Sequence, residues 1–224
     1  MFVKICGIKS FEIAEYAIEQ GAQMIGMVVE LPSSPRNLTI HEASKLNTKI
    51  KGRFSDKVST VVVSKKNSVD DIENLTRELI GADFYQIHPE NPSFFYNECK
   101  IKTKPDVLKK LVIPINKNMD SQIVDALLKD LVFAENYFII DSSEGRNIPF
   151  DLRFVENILS KKSYRKIIVS GGINSSNLSV IKSIRGISGI DLSSGLEKEK
   201  GVKSKELIKD FFETARTLGL VSPK

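Results

Sequence analysis

The chain has 224 residues, of which 41% are hydrophobic and 27% charged, proportions typical of a globular protein rather than a disordered or fibrous one. Its net charge of +5 comes from Lys and Arg spread along the whole chain, so the composition does not favour a nucleic-acid partner. Because it lacks a secretory signal and any apolar stretch of ~18 residues, we expect a cytoplasmic protein without a membrane partner.

Short apolar runs recur along the chain and are nearly continuous, which is typical of strands buried on both faces. Segments with helical spacing separate them. Ser10 and Gly21 bracket the first such segment, and Thr39 with Glu42 forms a capping box at the start of the second. Pro114 weakens the fifth strand, because proline cannot donate a ladder hydrogen bond. The predicted strands are Phe2–Cys6, Met24–Val29, Val58–Val63, Phe84–Ile87, Leu111–Ile115, Tyr137–Ile140, Lys166–Val169 and Gly189–Leu192.

Repeated strand–helix units imply parallel strands joined by right-handed crossovers. Eight such units favour a closed barrel over an open doubly wound sheet. No Pro/Gly-rich linker or compositional break divides the chain. The sequence therefore predicts an α/β fold, a single (β/α)8 TIM barrel that forms one catalytic domain over residues 1–224.

Small residues follow the last two predicted strands, where a barrel of this kind carries its active site. Gly171 and Gly172 follow the seventh strand, and Ser193, Ser194 and Gly195 follow the eighth. A lone pair of glycines would favour a simple tight turn. Two such loops on neighbouring strands favour a phosphate site, because backbone N–H groups can approach an anion there.

Two side chains with acid–base chemistry end the first and sixth strands. A thiolate from Cys6 and a carboxylic acid from Asp141 would face each other across the barrel mouth as general base and general acid. A free thiol has a pKa of ~8.5, so the base role needs a lowered pKa or a thiolate stabilised by neighbours. Taken alone, Cys6 also fits a buried apolar residue and Asp141 a structural cap.

Further polar residues lie near strand ends. Arg36 suits bidentate binding of a carboxylate or phosphate, although a solvated surface arginine is the better interpretation of this residue taken alone. His88 is interpreted as a packed, hydrogen-bonded histidine, His41 as a surface residue of the second helix, and Cys99 as structural. No CxxC, HExxH, Walker loop or GxGxxG occurs, so the sequence predicts neither a metal site nor a nucleotide cofactor.

Together, the strand-end segments of this chain resemble those of the phosphoribosylanthranilate isomerases, in order and over nearly the whole length. The start KICG and the DxSSGxE pattern are specific to that family. The matching segments are Val3–Ile8, Ser34–Arg36, Gln86–His88, Ile140–Ser142, Val169–Asn174, Gly189–Glu197 and Gly201–Lys203.

The resemblance implies an Amadori rearrangement of N-(5-phosphoribosyl)anthranilate, a step of tryptophan biosynthesis that needs no cofactor. It implies that Asp141 protonates the ring oxygen, that Cys6 removes the C2′ proton, and that Arg36 binds the anthranilate carboxylate. The loops at Gly172 and Ser193–Gly195 would bind the phosphate. Gln86 and Asp191 would line the pocket.

Two segments differ from the family pattern. Pro89 stands where a glycine is usual, and the run Ser142–Pro149 replaces a glycine-rich loop, with Arg146 as a candidate substrate contact. An indoleglycerol-phosphate synthase would be expected to place Lys and Glu at strand ends, and a histidine-pathway isomerase two aspartates, so Cys6 opposite Asp141 disfavours both. A non-catalytic barrel that binds a phosphate ligand is left open, as is the oligomeric state, with a homodimer as one option.

Overall fold

Eight parallel strands form a closed barrel in the computed structural model, which describes residues 1–79, 81–142, 150–161 and 165–222. Each strand pairs with the next, and the first pairs with both the second and the last, which closes the barrel. The predicted (β/α)8 fold is confirmed, and every predicted strand end lies within one residue of the observed end. The strands are β1 (Phe2–Cys6), β2 (Met24–Val29), β3 (Ser59–Ser64), β4 (Phe84–Ile87), β5 (Leu111–Asn116), β6 (Tyr137–Asp141), β7 (Lys166–Ser170) and β8 (Gly189–Leu192).

A helix follows each strand. The predicted caps of the first two helices are present: the Ser10 hydroxyl accepts a hydrogen bond from the Ile13 amide, and Thr39 and Glu42 form the capping box. Within the described ranges, no helix is long and apolar enough to cross a membrane. The helices are α1 (Phe11–Gln20), α2 (Ile40–Phe54), α3 (Val69–Glu78), α4 (Pro92–Lys102), α5 (Ser121–Lys129), α6 (Leu152–Ser160), α7 (Leu178–Ser183) and α8 (Lys205–Thr217), with a further single turn at Pro105–Leu108.

The barrel interior is filled by side chains, as the fold requires. Successive residues of a strand point to opposite faces, so every second residue points inward. Phe2, Phe84 and Tyr137, the first residues of β1, β4 and β6, meet at the N-terminal end, where Tyr137 makes edge-to-face contacts with both phenylalanines at 5.5 and 5.4 Å. Apolar side chains from five strands pack together in the interior with these rings, namely Met24, Val28, Val61, Val63, Val112, Ile139 and Ile168.

The fifth strand forms despite its proline. The ladder between β4 and β5 covers only Leu111 and Val112, whereas the ladder between β5 and β6 continues to Asn116. The donor that Pro114 lacks therefore falls beyond the shorter ladder. Proline weakened the prediction of this strand, and its effect in the structure is confined to one side of it.

Candidate active site

A cavity of about 410 Å³ opens at the C-terminal end of the barrel. Ten of the eleven residues predicted from the sequence to contact substrate line it, which are Cys6, Arg36, Gln86, Asp141, Gly171, Gly172, Asp191, Ser193, Ser194 and Gly195. The structure thus brings together residues that are up to 189 positions apart in the chain. The predicted contact from Arg146 lies outside the described residues.

The two acid–base candidates end β1 and β6, with β7 and β8 between them around the wall. Cys6 is 8% exposed and lies beside Gly26 of β2, where a Cβ atom would come within 2.9 Å of its sulfur. The glycine therefore leaves the space that the thiol occupies. Asp141 lies in register with Asn116 on one side and with Ser170 on the other, and all three line the cavity.

The surroundings of Cys6 contain groups that raise the pKa of its thiol and groups that lower it. Burial raises the pKa of the thiol, and the Asp191 carboxylate adds to that effect. The cations of Lys4, Lys203 and Arg36 lower the pKa, Lys4 the most, but they do not outweigh burial. The base role needs a lowered pKa or a thiolate stabilised by neighbours; the structure has the neighbouring cations without a net lowering.

Lys4 is one of two residues next to the cavity that sequence reasoning missed. Its ammonium is fully buried inside the barrel, with Nζ 2.9 Å from Oδ2 of Asp191 on β8. Burial lowers the pKa of Lys4, but Asp191 and Cys6 raise it by more, so the net direction is upward. A single lysine inside the otherwise apolar run of β1 was the available signal, because a charged side chain in such a strand needs a partner.

Arg36 is held by a second residue that the sequence did not single out. Its guanidinium forms a bidentate ion pair with Glu197, which also accepts hydrogen bonds from the Lys203 ammonium and the Gly201 amide. Burial raises the pKa of Glu197, but the hydrogen bonds from Arg36 and Lys203 bring it down to about 2. Arg36 is therefore a positioned cavity residue and not a solvated surface arginine.

Glu197 and Lys203 belong to a hairpin that follows β8, formed by the strands Glu197–Glu199 and Val202–Lys203. The Lys203 ammonium also donates to the Ser193 carbonyl, and the Ser193 hydroxyl donates to the Cys6 carbonyl. These bonds connect the hairpin, the loop after β8 and the end of β1. The hairpin thus links the Arg36 loop to the rest of the cavity wall.

The two small-residue loops after β7 and β8 pack directly against each other. A Cβ atom on Gly195 would lie 2.0 Å from the Ile173 carbonyl oxygen, so only glycine permits this approach. Gly171 and Gly172 have φ angles of 100° and 66°, a conformation that favours glycine. Glycines and small side chains form this corner of the cavity, where backbone amides can approach an anion.

His88 lines the cavity beside Gln86, with 2.8 Å between the two Nε2 atoms. Burial lowers the pKa of His88 to about 4, while the nearby Asp141 carboxylate acts in the opposite direction. The imidazole is therefore neutral, and its Nε2 can accept a hydrogen bond from the Gln86 amide. This agrees with the interpretation of His88 as packed and hydrogen-bonded, and the structure adds that it forms part of the cavity wall.

Residues 3–214 match the family described as N-(5'phosphoribosyl)anthranilate (PRA) isomerase. A relative from Sinorhizobium fredii named N-(5'-phosphoribosyl)anthranilate isomerase is 32% identical over 230 residues, which cover 100% of this chain and 97% of that protein. The crystal structure of phosphoribosyl anthranilate isomerase from Thermus thermophilus is similar with a TM-score of 0.76 and 23% identity, covering 97% of this chain and 100% of that one. A further phosphoribosyl anthranilate isomerase was solved in complex with reduced 1-(o-carboxyphenylamino)-1-deoxyribulose 5-phosphate; it has a TM-score of 0.73 and 22% identity and covers 97% and 99% of the two chains.

Proposed function

The chain belongs to the N-(5'-phosphoribosyl)anthranilate isomerase family, and we propose that it catalyses this isomerisation with Cys6 as general base and Asp141 as general acid. The reaction is the Amadori rearrangement of N-(5-phosphoribosyl)anthranilate to 1-(2-carboxyphenylamino)-1-deoxyribulose 5-phosphate in tryptophan biosynthesis. The observation that carries the proposal is that both side chains line one cavity at the C-terminal end of the barrel.

The acid step opens the sugar ring. Asp141 in its protonated form gives its proton to the furanose oxygen, the C1′–O bond breaks, and the nitrogen lone pair forms a C1′=N double bond. The product of this step is a protonated Schiff base and an aspartate. The neutral imidazole of His88 lines the same cavity as this acid.

The base step moves a proton from carbon. The Cys6 thiolate takes the proton from C2′, and the electrons of that C–H bond shift toward the iminium nitrogen to give an enolamine. Tautomerisation then yields the ketone. Because the nitrogen of the substrate accepts the electrons, we propose that the reaction needs no cofactor. We also propose that residues 1–224 act as one catalytic domain.

The two ends of the substrate carry negative charge, and the cavity has a cationic and an amide-rich region to match. We assign the anthranilate carboxylate to Arg36, whose guanidinium is held along one edge by Glu197. We assign the phosphate to the loops of Gly171–Gly172 and Ser193–Gly195. Gln86 and Asp191 complete the wall around the sugar. The ligand of the solved relative carries a carboxyphenyl group and a phosphate, which supports a substrate with these two ends.

The test is the loss of anthranilate-type fluorescence when purified protein meets freshly generated phosphoribosylanthranilate. We expect rapid turnover by the wild type and a loss of at least about a hundredfold in Cys6→Ser and Asp141→Asn, since removing a general acid or base costs roughly 10²–10⁴ in rate. Cys99→Ser is the matched control, because Cys99 is also a buried thiol but lies on α4, away from the cavity. Wild-type protein that binds the reduced product tightly without turnover would contradict the proposal and indicate a ligand-binding barrel.

A further inference from the structure

The barrel contains a buried cation that the proposed acid–base pair does not use. Lys4 has no exposed surface, and its position on β1 points inward on the same side as Cys6, two residues later. A charge buried in a protein core is strongly unfavourable unless it is paired. The Lys4 ammonium must therefore be paired with groups near the cavity floor, and it does not contribute to the core as an apolar side chain would.

The strand register supplies one partner of this cation. Lys4 lies in register with Asp191 of β8, and the ammonium and the carboxylate are 2.9 Å apart. Ser170 of β7 is the other register neighbour of Asp191 and also lines the cavity. The carboxylate thus fixes the ammonium on the β8 side of the barrel, below the point where β1 ends.

Cys6 is the second group that interacts electrostatically with the ammonium. Lys4 and Cys6 lie two residues apart on the inward face of β1, and the attraction between the ammonium and the thiolate is one of the effects that raise the pKa of Lys4 despite its burial. Three other charged groups face Cys6: Asp191 from β8, Lys203 from the hairpin and Arg36 from the loop after β2. Both other cations are bonded to Glu197, so their positive charge is already paired.

We propose that Lys4 is a positioning residue that stabilises the thiolate of Cys6 from the same inward face of β1, while Asp191 fixes the ammonium between the two strands. The catalytic meaning of this inference rests on the proposed base role of Cys6. The stabilisation of the thiolate itself can be measured without turnover.

The measurement is the pH dependence of Cys6 alkylation by iodoacetamide, with the modified residue identified by peptide mass spectrometry. Cys99→Ser is used as the background, so that Cys6 is the sole thiol. In Lys4→Met we expect the alkylation profile to move to higher pH. A shift of one pKa unit lowers the thiolate fraction, and with it the rate, about tenfold at pH values below the thiol pKa.

Two further variants separate electrostatics from a general loosening of the barrel. Lys4→Arg keeps the charge and should stay within a few-fold of the background rate. Asp191→Asn removes the negative charge that opposes the thiolate, so its profile should move to lower pH, opposite to Lys4→Met. Lys4→Met/Asp191→Asn removes both charges and leaves no unpaired carboxylate, which provides a folded reference if the single Lys4 variant does not fold; its profile should lie between those of the two single variants.

Folded Lys4→Met with an unchanged alkylation profile would overturn the inference, as would shifts of the same sign in Lys4→Met and Asp191→Asn. Turnover by Cys6→Ser would refute the base role of Cys6 in the proposed function. If Lys4→Met still moved the alkylation profile in that case, the inference about the thiolate would stand on its own. The two failures are therefore distinguishable.

Discussion

Arg36 and Glu197 form a bidentate ion pair across 161 positions of the chain, with Nε 2.7 Å from Oε1 and Nη2 2.8 Å from Oε2. The Glu197 side chain is almost fully buried, so little water is available to replace a lost bond. The pair fixes the plane of the guanidinium before any substrate arrives. A carboxylate that binds Arg36 therefore meets a donor whose orientation is already set.

We predict that Glu197→Gln weakens substrate binding more than it slows the chemical steps. The amide still accepts one hydrogen bond but no longer matches the guanidinium with two charged oxygens. We expect KM to rise about tenfold with a smaller change in kcat, because a charge-assisted hydrogen bond contributes about 1.5–3 kcal/mol. Steady-state kinetics with the fluorescent substrate measure both. Glu199→Gln on the same hairpin is exposed and should leave KM unchanged, whereas an equal effect of both variants would refute this role.

Glu197 should also affect stability in acid. Its pKa is depressed to about 2 in the folded protein, against about 4.3 for an ordinary glutamate. A depressed pKa means that the stabilisation is complete above pH ~4.3 and is lost as the pH falls toward 2. Urea unfolding at pH 7, 4 and 3 should therefore show that the wild-type advantage over Glu197→Gln shrinks as the pH falls. An advantage that grows in acid would contradict the assignment.

His88 offers a titration that can be followed directly. Because its pKa is lowered to about 4, the ring should remain neutral through pH 5, well below the ordinary value of ~6.5. The chain contains only two histidines, and His41 lies exposed at the start of α2, so two-dimensional NMR of the imidazole C–H groups resolves both. A His88 midpoint near pH 6.5 would rule out the buried neutral ring and its hydrogen bond with Gln86.

The lowered pKa of His88 also makes the free energy of unfolding depend on pH. Unfolded His88 takes up a proton near pH 6.5, whereas the folded residue does so only near pH 4. Stability should therefore fall as the pH drops from 6.5 to 4. We expect this part of the pH dependence to be smaller in His88→Asn, measured by urea unfolding, with His41→Asn as the matched exposed control.

Gly26→Ala should affect the site through packing alone. The new Cβ would lie 2.9 Å from the Cys6 sulfur and 3.0 Å from its Cα, so the strand or the thiol must move. We expect a destabilisation of about 1–3 kcal/mol and a lower kcat. Gly52→Ala on α2 is the control, because its Cβ would meet no atom within 4 Å and alanine favours a helix. Wild-type kcat in Gly26→Ala would show that the thiol position is not critical.

The barrel could be predicted from the sequence because a strand buried on both faces shows up as a continuous apolar run. Runs such as Met24–Val29 are apolar on both faces, and only a parallel sheet covered by helices buries both. The loops at Gly171–Gly172 and Ser193–Gly195 could be assigned to one cavity because the fold places all strand ends on one rim. Most of the candidate site could therefore be predicted from the topology of the barrel.

The sequence carries no comparable signal for which side chains pair with each other. Nothing local to Arg36 indicates that Glu197 binds it, and Lys4 has the residue type that pattern rules assign to solvent. The pKa of Cys6 is set by four charged groups on different segments together with burial, so its direction follows only from their positions in space. These relationships are long-range, and the sequence reveals the residues but not their pairing.

The rings of Phe2, Phe84 and Tyr137 at the base of the barrel also determine how molecules travel through it. Edge-to-face aromatics and the aliphatic side chains packed with them fill the floor, so among the described residues the barrel is closed at its N-terminal end and the cavity opens at the C-terminal end. Substrate must enter, and product must leave, through the same opening. A lingering product therefore blocks the next arrival, and its inhibition of the enzyme should be purely competitive.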